Sequence, residues 1–434
     1  APRVLVVGAG PIGLEAAVLL VRSGFDVLLV ERGEALAASV RQWAHVQLFS
    51  SNELNCSAWG LQACSEVGGA VPSSDAQPTG ALLVEGYLER LGAWLASQPT
   101  GRCELRRGTS VDAISRAAIL KGEEVKGAGE LARDGAPFAA LLSIGDQEER
   151  VDGLAAVLDC SGTYGNPNFF GRGGAPALGE RSMRALADAA SRSCGEAGSR
   201  FMQPAERYFY RGLPDVCKAH RGAFLSQADS AAERFRSVAL VGGGYSAATV
   251  LLQLRELAAE LSECGSCLEV DWILRRAPAS DPYAAIDRDP LPTRAALVDQ
   301  ANALARGEAA CPPGMRLRVH RGCAIDEMRT EPLSKHTDGT IRLKGTAVQT
   351  HRDIGVSGVP DWEASAGPAL DVAAEVVISL VGFRPELELS RELQVHQLFA
   401  RMKQRVSHTH THAHTHTHTR THTLRHPPLR TPPT

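Results

Sequence analysis

Val4-Leu5-Val6-Val7-Gly8-Ala9-Gly10-Pro11-Ile12-Gly13-Leu14 opens the chain, and its reading decides the fold. The apolar run Val4 to Val7 predicts a strand, and Leu14 to Val21 predicts a helix with a buried face. Phe25 to Val30 predicts a second strand, closed by Glu31. Strand, glycine turn, helix, strand and acid in this order make a dinucleotide-binding βαβ unit. Gly8 permits the tight turn, Gly10 lets the backbone approach a pyrophosphate, and Gly13 lets the helix pack closely on the strand. Pro11 and Ile12 begin the helix whose N-terminus would hold the phosphate charge. Glu31 stands where a carboxylate accepts the hydroxyls of a ribose, and Arg32 follows it.

The middle of the chain repeats this opening. Val238 to Val241 predicts a strand and Ala248 to Leu261 a helix. Gly242-Gly243-Gly244-Tyr245-Ser246-Ala247 between them is a second glycine turn. Ala247 takes the third glycine position and is still small enough for close helix packing. Leu268 to Leu274 is the next strand, and it ends in Arg275-Arg276 where the first unit ends in an acid. Guanidinium groups bind a 2′-phosphate that a carboxylate would repel, so this unit reads as a site for NADPH over NADH. Each unit also has a late apolar strand that ends in glycine: Gly153 to Cys160 runs into Ser161-Gly162, and Glu375 to Val381 into Gly382. The fold class that follows is α/β, with two Rossmann-like three-layer domains and the NADP-binding one inserted into the other.

Between these landmarks the pattern is less regular. Arg41 to Ser50 holds Trp43, His45 and Phe49, which would line a cofactor ring, and Arg41 itself would meet a phosphate. Leu82 to Leu95 predicts an amphipathic helix with Leu83, Tyr87, Leu91 and Trp94 or Leu95 inward. Cys103 to Ile114 predicts a strand pair that brings Val111 near an adenine. Lys121 to Gly135 is a charged loop, and Pro137 to Ile144 is another apolar run.

Composition sets the limits. With 44% apolar and 22% charged residues, the 434-residue chain reads as an ordinary globular protein with room for two or three domains. A net charge of −3 gives no reason to expect nucleic acid or an anionic membrane as partner. No apolar run reaches the roughly 18 residues of a membrane span. The ten cysteines show no framework spacing, which fits a reducing compartment and predicts a cytoplasmic protein. Ala1 lies too close to the first strand for a signal peptide, and the missing Met reads as processing or a fragment. From His408 the chain alternates His with Thr and ends in a Pro-rich stretch, predicting a disordered tail with no physiological metal site.

Several of these motifs together resemble a known family. The two glycine turns, Asp159-Cys160-Ser161-Gly162-Thr163-Tyr164-Gly165-Asn166-Pro167 and Val381-Gly382-Phe383-Arg384-Pro385 are similar to those of flavoproteins with two dinucleotide-binding domains. Tyr245-Ser246-Ala247-Ala248-Thr249 and Arg391-Glu392-Leu393-Gln394-Val395-His396 resemble the flavin-monooxygenase-like and thioredoxin-reductase-like branch. The resemblance implies FAD at the first turn, held by Gly8, Gly10, Gly13, Glu31, Val111, Ser161 and Gly162. It implies NADPH at the second, held by Gly242, Gly244, Ser246 and Arg275. It further implies an FAD-binding domain over residues 1–170, an NAD(P)-binding domain over 171–382, a return to the first domain over 383–403 and the tail from 404. The activity implied is hydride transfer from NADPH to FAD, with a small molecule or oxygen as final acceptor. The chain lacks the branch's F-x-G-x-x-x-H stretch before the second turn. It also leaves the family pattern near Leu398, where a glycine-aspartate segment would complete the flavin pocket.

Two other readings compete. Cys264-Gly265-Ser266-Cys267 has the spacing of a redox pair, which suggests an NADPH-dependent disulfide reductase. Its place after the second helix, away from the flavin, weighs against that role, as does the wide spacing of Cys56 and Cys64. The other reading is a nucleotide-binding protein without activity. No catalytic residue is identified, and His45 and His396 are candidates by location alone.

Overall fold

The computed structural model describes residues 1–68, 72–122, 135–193, 208–225, 235–263, 266–275, 281–284, 286–331, 339–347 and 370–393. Ala1–Gln394 form one compact unit. The His/Thr tail, His396, Arg276, Cys264 and most of the Lys121 to Gly135 loop lie outside the described residues, as does much of the stretch before the second turn.

The first half of the chain builds a parallel sheet from β1 (Arg3–Val7), β2 (Asp26–Val30), β3 (Cys103–Arg106) and β7 (Ala156–Asp159), in the order β3-β2-β1-β7. Residue alternation along these strands feeds two faces. Val6, Val27 and Leu29 pack against α1 (Pro11–Arg22), α2 (Ala58–Glu66) and α3 (Glu89–Ala96). Leu5, Val7, Leu28 and Val30 pack on the other side against an antiparallel sheet of β4 (Thr109–Arg116), β5 (Phe138–Ile144) and β6 (Gln147–Leu154). The result is three layers with an apolar seam on each side of the parallel sheet.

The second half repeats the plan. Its parallel sheet runs β11-β10-β9-β15-β8, formed by Met315–Arg321, Cys267–Leu274, Phe235–Val241, Val376–Ser379 and Phe209–Tyr210 respectively. Leu240, Val270, Trp272 and Ile378 face the helices α5 (Tyr245–Ser262) and α6 (Pro292–Arg306). Val241, Ile273 and Val377 face an antiparallel sheet of β12 (Cys323–Glu331), β13 (Thr340–Ala347) and β14 (Leu370–Ala374). Between the halves, the helix α4 (Glu180–Ser193) holds the outgoing crossover: its fully buried Glu180 accepts from the N–H groups of Phe170 and Ala177. The outgoing and returning strands bind each other, with Asn168 N–H donating to Gly382 O and Arg384 N–H to Asn166 O. After the return, Leu389 is buried in the first half's core, against the antiparallel sheet.

Three readings change in detail. Cys103 to Ile114 is not a strand pair: Gly108, with φ +60°, turns the chain from the parallel sheet into the antiparallel one, so β3 and β4 belong to different layers. Gly153 to Cys160 is likewise divided, its first residues ending β6 and the rest forming β7. The Leu82 to Leu95 helix contains a π-helical turn, Val84–Leu88, ahead of α3. Leu83, Tyr87, Leu91, Trp94 and Leu95 are all buried, as the pattern requires.

Arg236 and Glu375 are buried at the starts of β9 and β15, their guanidinium and carboxylate 2.8 Å apart. Arg236 Nε also donates to Ala223 O, and Ser237 N–H donates to the Glu375 carboxylate. Removing one partner strands the other charge in the core. Arg236→Met is expected to cost about 3–5 kcal/mol in urea unfolding, and the double Arg236→Met/Glu375→Met markedly less.

Candidate functional site

Where β1, β2 and β7 end, their C-terminal tips and the first glycine turn border a cleft of about 410 Å³. Its wall includes Gly8, Gly10, Pro11, Ile12, Glu31, Arg32, Trp43, Val111, Ser161 and Gly162. A cleft at the carboxyl ends of parallel strands is where α/β sheets bind ligands.

The turn is shaped by what cannot fit around it. Gly8 has φ +93°, and a Cβ on it would lie 2.7 Å from Cys160 O at the tip of β7. A Cβ on Gly13 would lie 1.8 Å from Gly8 O, so only glycine lets α1 sit this close to β1. Gly10 is different: nothing lies within 4 Å of its Cβ position, which leaves a cradle open to the cleft. As N-cap it brings no side chain, so the first-turn N–H groups of α1 remain for an anionic ligand.

Glu31 is 9% exposed and tied to the turn by two backbone donors. Ala9 N–H reaches Oε2 and Gly33 N–H reaches Oε1, both at 2.8 Å. A carboxylate accepts about four hydrogen bonds, so capacity remains for two hydroxyls in the cleft that Glu31 lines. Opposite, β4 carries a bulge between Val111 and Ala113 that leaves Asp112 out of the ladder. Thr109, Ser110, Val111 and Asp112 all line the cleft there, which frees polar groups for a heterocycle's edge. These features fit the adenosine and diphosphate of FAD.

Two of the expected first-site residues lie elsewhere. Arg41 is not at the cleft: its Nη2 donates to Glu89 at 2.6 Å and its Nε to Leu36 O, so the nearer carboxylate holds it away. The Cα of Gly13 lies beneath the cleft, where it packs on the Gly8 carbonyl. Trp43 does line the cleft, whereas Phe49 meets the second half and His45 is half-buried, its Nε2 shielded from solvent without a hydrogen-bond partner. Sequence reasoning missed Ala37 to Val40, Glu386 and Leu389, which also line the cleft. Ala37 adopts φ +56°, a conformation nothing in its residue type announces. The position of Glu386 just after the returning Gly382-Phe383-Arg384-Pro385 strand was the one available signal.

The second turn has the same construction. Gly242 has φ +136°, and a Cβ on it would lie 2.2 Å from Leu380 O just past β15. Gly244 caps α5 with open space around it, and Ala247 is fully buried against the sheet. Ser246 is half-buried, and Tyr245 stacks on Tyr283 and meets Phe49 edge-on at 6.1 Å. Arg275 is exposed directly after β10. The first turn and this one are the two places where a dinucleotide's phosphates could be held.

The described cysteines do not gather at either turn. Cys56 and Cys64 are buried in the helix-side core, and burial pushes Cys56 up to about 12 and raises Cys64 as well. Cys160 lines the cleft, but burial raises its thiol too. Cys267 opens β10, at the sheet edge opposite the Gly242 turn. Among the described residues no group of three or more His, Cys, Asp or Glu is placed to hold a metal, and no helix is long and apolar enough to cross a membrane.

Residues 2–47 match the family model of an FAD-binding domain. No curated protein matches the chain in sequence. Solved structures with a similar fold include the bacillithiol disulfide reductase Bdr of Bacillus cereus, 17% identical over 91% of this chain and 82% of that one, with a TM-score of 0.47. The thioredoxin reductase of Lactococcus lactis is 15% identical over 91% and 82%, with a TM-score of 0.44. The ornithine N-hydroxylase of Kutzneria sp. 744 is 11% identical over 90% and 83%, with a TM-score of 0.46.

The two glycines of the first turn should separate in a mutational test. Gly13→Ala forces α1 off β1 and is expected to destabilise the protein by about 1–3 kcal/mol in denaturant unfolding. Gly10→Ala, with extended backbone and free space, should stay within about 0.5 kcal/mol of wild type in the same measurement.

Proposed function

We propose that the chain is an FAD-dependent oxidoreductase that takes hydride from NADPH and passes electrons to a small-molecule acceptor or oxygen. The observation that carries this reading is the first cleft. The FAD-binding match covers the residues from β1 to Trp43 that form one wall of it, and an open phosphate cradle, an anchored ribose acid and a bulged β4 edge complete it. When bound, FAD supplies the two-electron chemistry. The chain's own residues hold and orient it: the α1 N-terminus and Gly10 take the diphosphate, Glu31 the ribose, and the Val111–Asp112 edge the adenine.

Tyr164, Gly165, Asn166, Glu386 and Leu389 close the cleft from the side of the crossover. They would limit water around the reacting end of the cofactor. The second turn supports the dinucleotide donor. Gly244 leaves the α5 N-terminus open, and Arg275 places a guanidinium after β10, where a 2′-phosphate is recognised. A disulfide acceptor would need a thiol pair at the cleft, and among the described cysteines Cys160 lines it.

The test is a visible absorption spectrum of the purified protein before and after anaerobic NADPH, with NADH as comparison. Flavin bands that bleach at least about tenfold faster with NADPH are expected, from the charge-assisted pairing of Arg275 with a 2′-phosphate. A protein that remains colourless when FAD is added would refute the enzyme reading.

A further inference from the structure

The helix that presents the first glycine turn carries a carboxylate where a bound diphosphate would least tolerate one. Glu15 stands on α1 four residues beyond Pro11, about 6 Å along the axis from the helix start. A full negative charge there opposes a second anion at the helix N-terminus, and the half-buried position weakens solvent screening.

The chain surrounds this carboxylate with donors. The Tyr87 hydroxyl donates to Glu15 Oε1, and the Ser57 hydroxyl donates to Oε2 at 2.5 Å. Ser57 N–H lies 3.0 Å from Oε1 and 3.1 Å from the Tyr87 oxygen, so it serves both. Ser57 is also the N-cap of α2, whose positive end therefore lies at the same carboxylate. Tyr87 is 1% exposed, and burial, reinforced by Glu15, raises its phenol so that it remains a neutral donor.

Two unfavourable local features converge on the contact. The π-helical turn Val84–Leu88 interrupts the regular helix at Tyr87, a distortion that often marks a functional position. Gly60 sits inside α2, where glycine is a poor helix former, and a Cβ on it would lie 1.8 Å from the Tyr87 oxygen. Both features leave room for this one hydroxyl.

We propose that Tyr87, with Ser57, is a positioning residue of the cofactor site. By turning hydroxyl dipoles onto the Glu15 carboxylate it partly offsets that charge and lets the N-terminus of α1 accept the FAD diphosphate. This rests on the FAD reading of the cleft, and it concerns binding rather than turnover.

The test is FAD binding to flavin-free protein by equilibrium dialysis, for wild type, Tyr87→Phe, Glu15→Gln and the double variant, with a thermal melt of each. Tyr87→Phe is expected to bind FAD about tenfold more weakly, the order set by one less-compensated like charge near the helix start. Glu15→Gln should bind at least as tightly as wild type. The double variant should regain wild-type affinity although it lacks both ends of the bond. A merely structural bond predicts the reverse, a double variant as weak as Tyr87→Phe or weaker, and that result overturns the proposal. Gly60→Ala displaces the phenol while keeping both side chains; paired with Gly60→Ala/Glu15→Gln, it gives the same comparison if Tyr87→Phe does not fold. Unchanged affinity in every variant overturns the proposal alone, whereas no binding by wild type overturns the FAD reading with it.

Discussion

Each half of this protein depends on one close approach: the first glycine of a turn pressed against a carbonyl at the end of a strand far later in the chain. Gly8 meets Cys160 O and Gly242 meets Leu380 O, both at distances no Cβ could occupy. The contact welds the turn to the tip of β7 or β15 and so fixes the sheet order around β1 and β9. Each glycine turn thus has a late partner strand, and each of these strands runs on into a glycine, Gly162 or Gly382. The space that a ligand's phosphates would use exists because this backbone is packed without side chains.

Around that shared scaffold the two turns diverge. In the first, Glu31 is bound to Ala9 N–H and Gly33 N–H, so the acid braces the turn as well as facing the cleft. A residue read as a ligand contact thus carries a structural load that the sequence pattern does not separate from it. In the second, the corresponding strand end carries Arg275, and Tyr245 with Tyr283 and Phe49 supplies an aromatic surface beside the turn. One turn is braced by a carboxylate that accepts from its N–H groups; the other by aromatic donors, Trp272 Nε1 to Gly242 O and the Tyr283 hydroxyl to Gly244 O.

The glycine turns, their strands and the helices α1 and α5 were legible because local rules decide them. Periodicity and the need for a residue without a side chain point the same way at Gly8, Gly13 and Gly242, and a positive φ adds to this at Gly8 and Gly242. Other features depend on partners far away in the chain and had no local signature. Arg41 is drawn to Glu89 across 48 positions, Cys103 to Ile114 is divided between layers by Gly108, and the π-helical turn at Tyr87 answers to Glu15 on another helix. The bulge at Asp112 is of the same kind, since it depends on the register of β4 against β5. For the cleft, this means the phosphate end could be read from sequence while its side walls could not.

The segment from Trp43 to Phe49 joins the two sites physically. It turns over residues 43–46 and is tied to residues 78–81: Leu48 N–H donates to Pro78 O, Gly80 N–H to Val46 O and Ala81 N–H to Ala44 O, with Gln47 bridged to Thr79. At one end Trp43 lines the first cleft, and at the other Phe49 meets Tyr245, the first residue of α5. Gln77 and Thr293 close the same junction, the amide donating to both Phe49 O and the Thr293 hydroxyl. One short segment thus gives Trp43 to the wall of the first cleft and Phe49 to the N-terminus of α5, so the two turns, separate in sequence, are bridged by its packing.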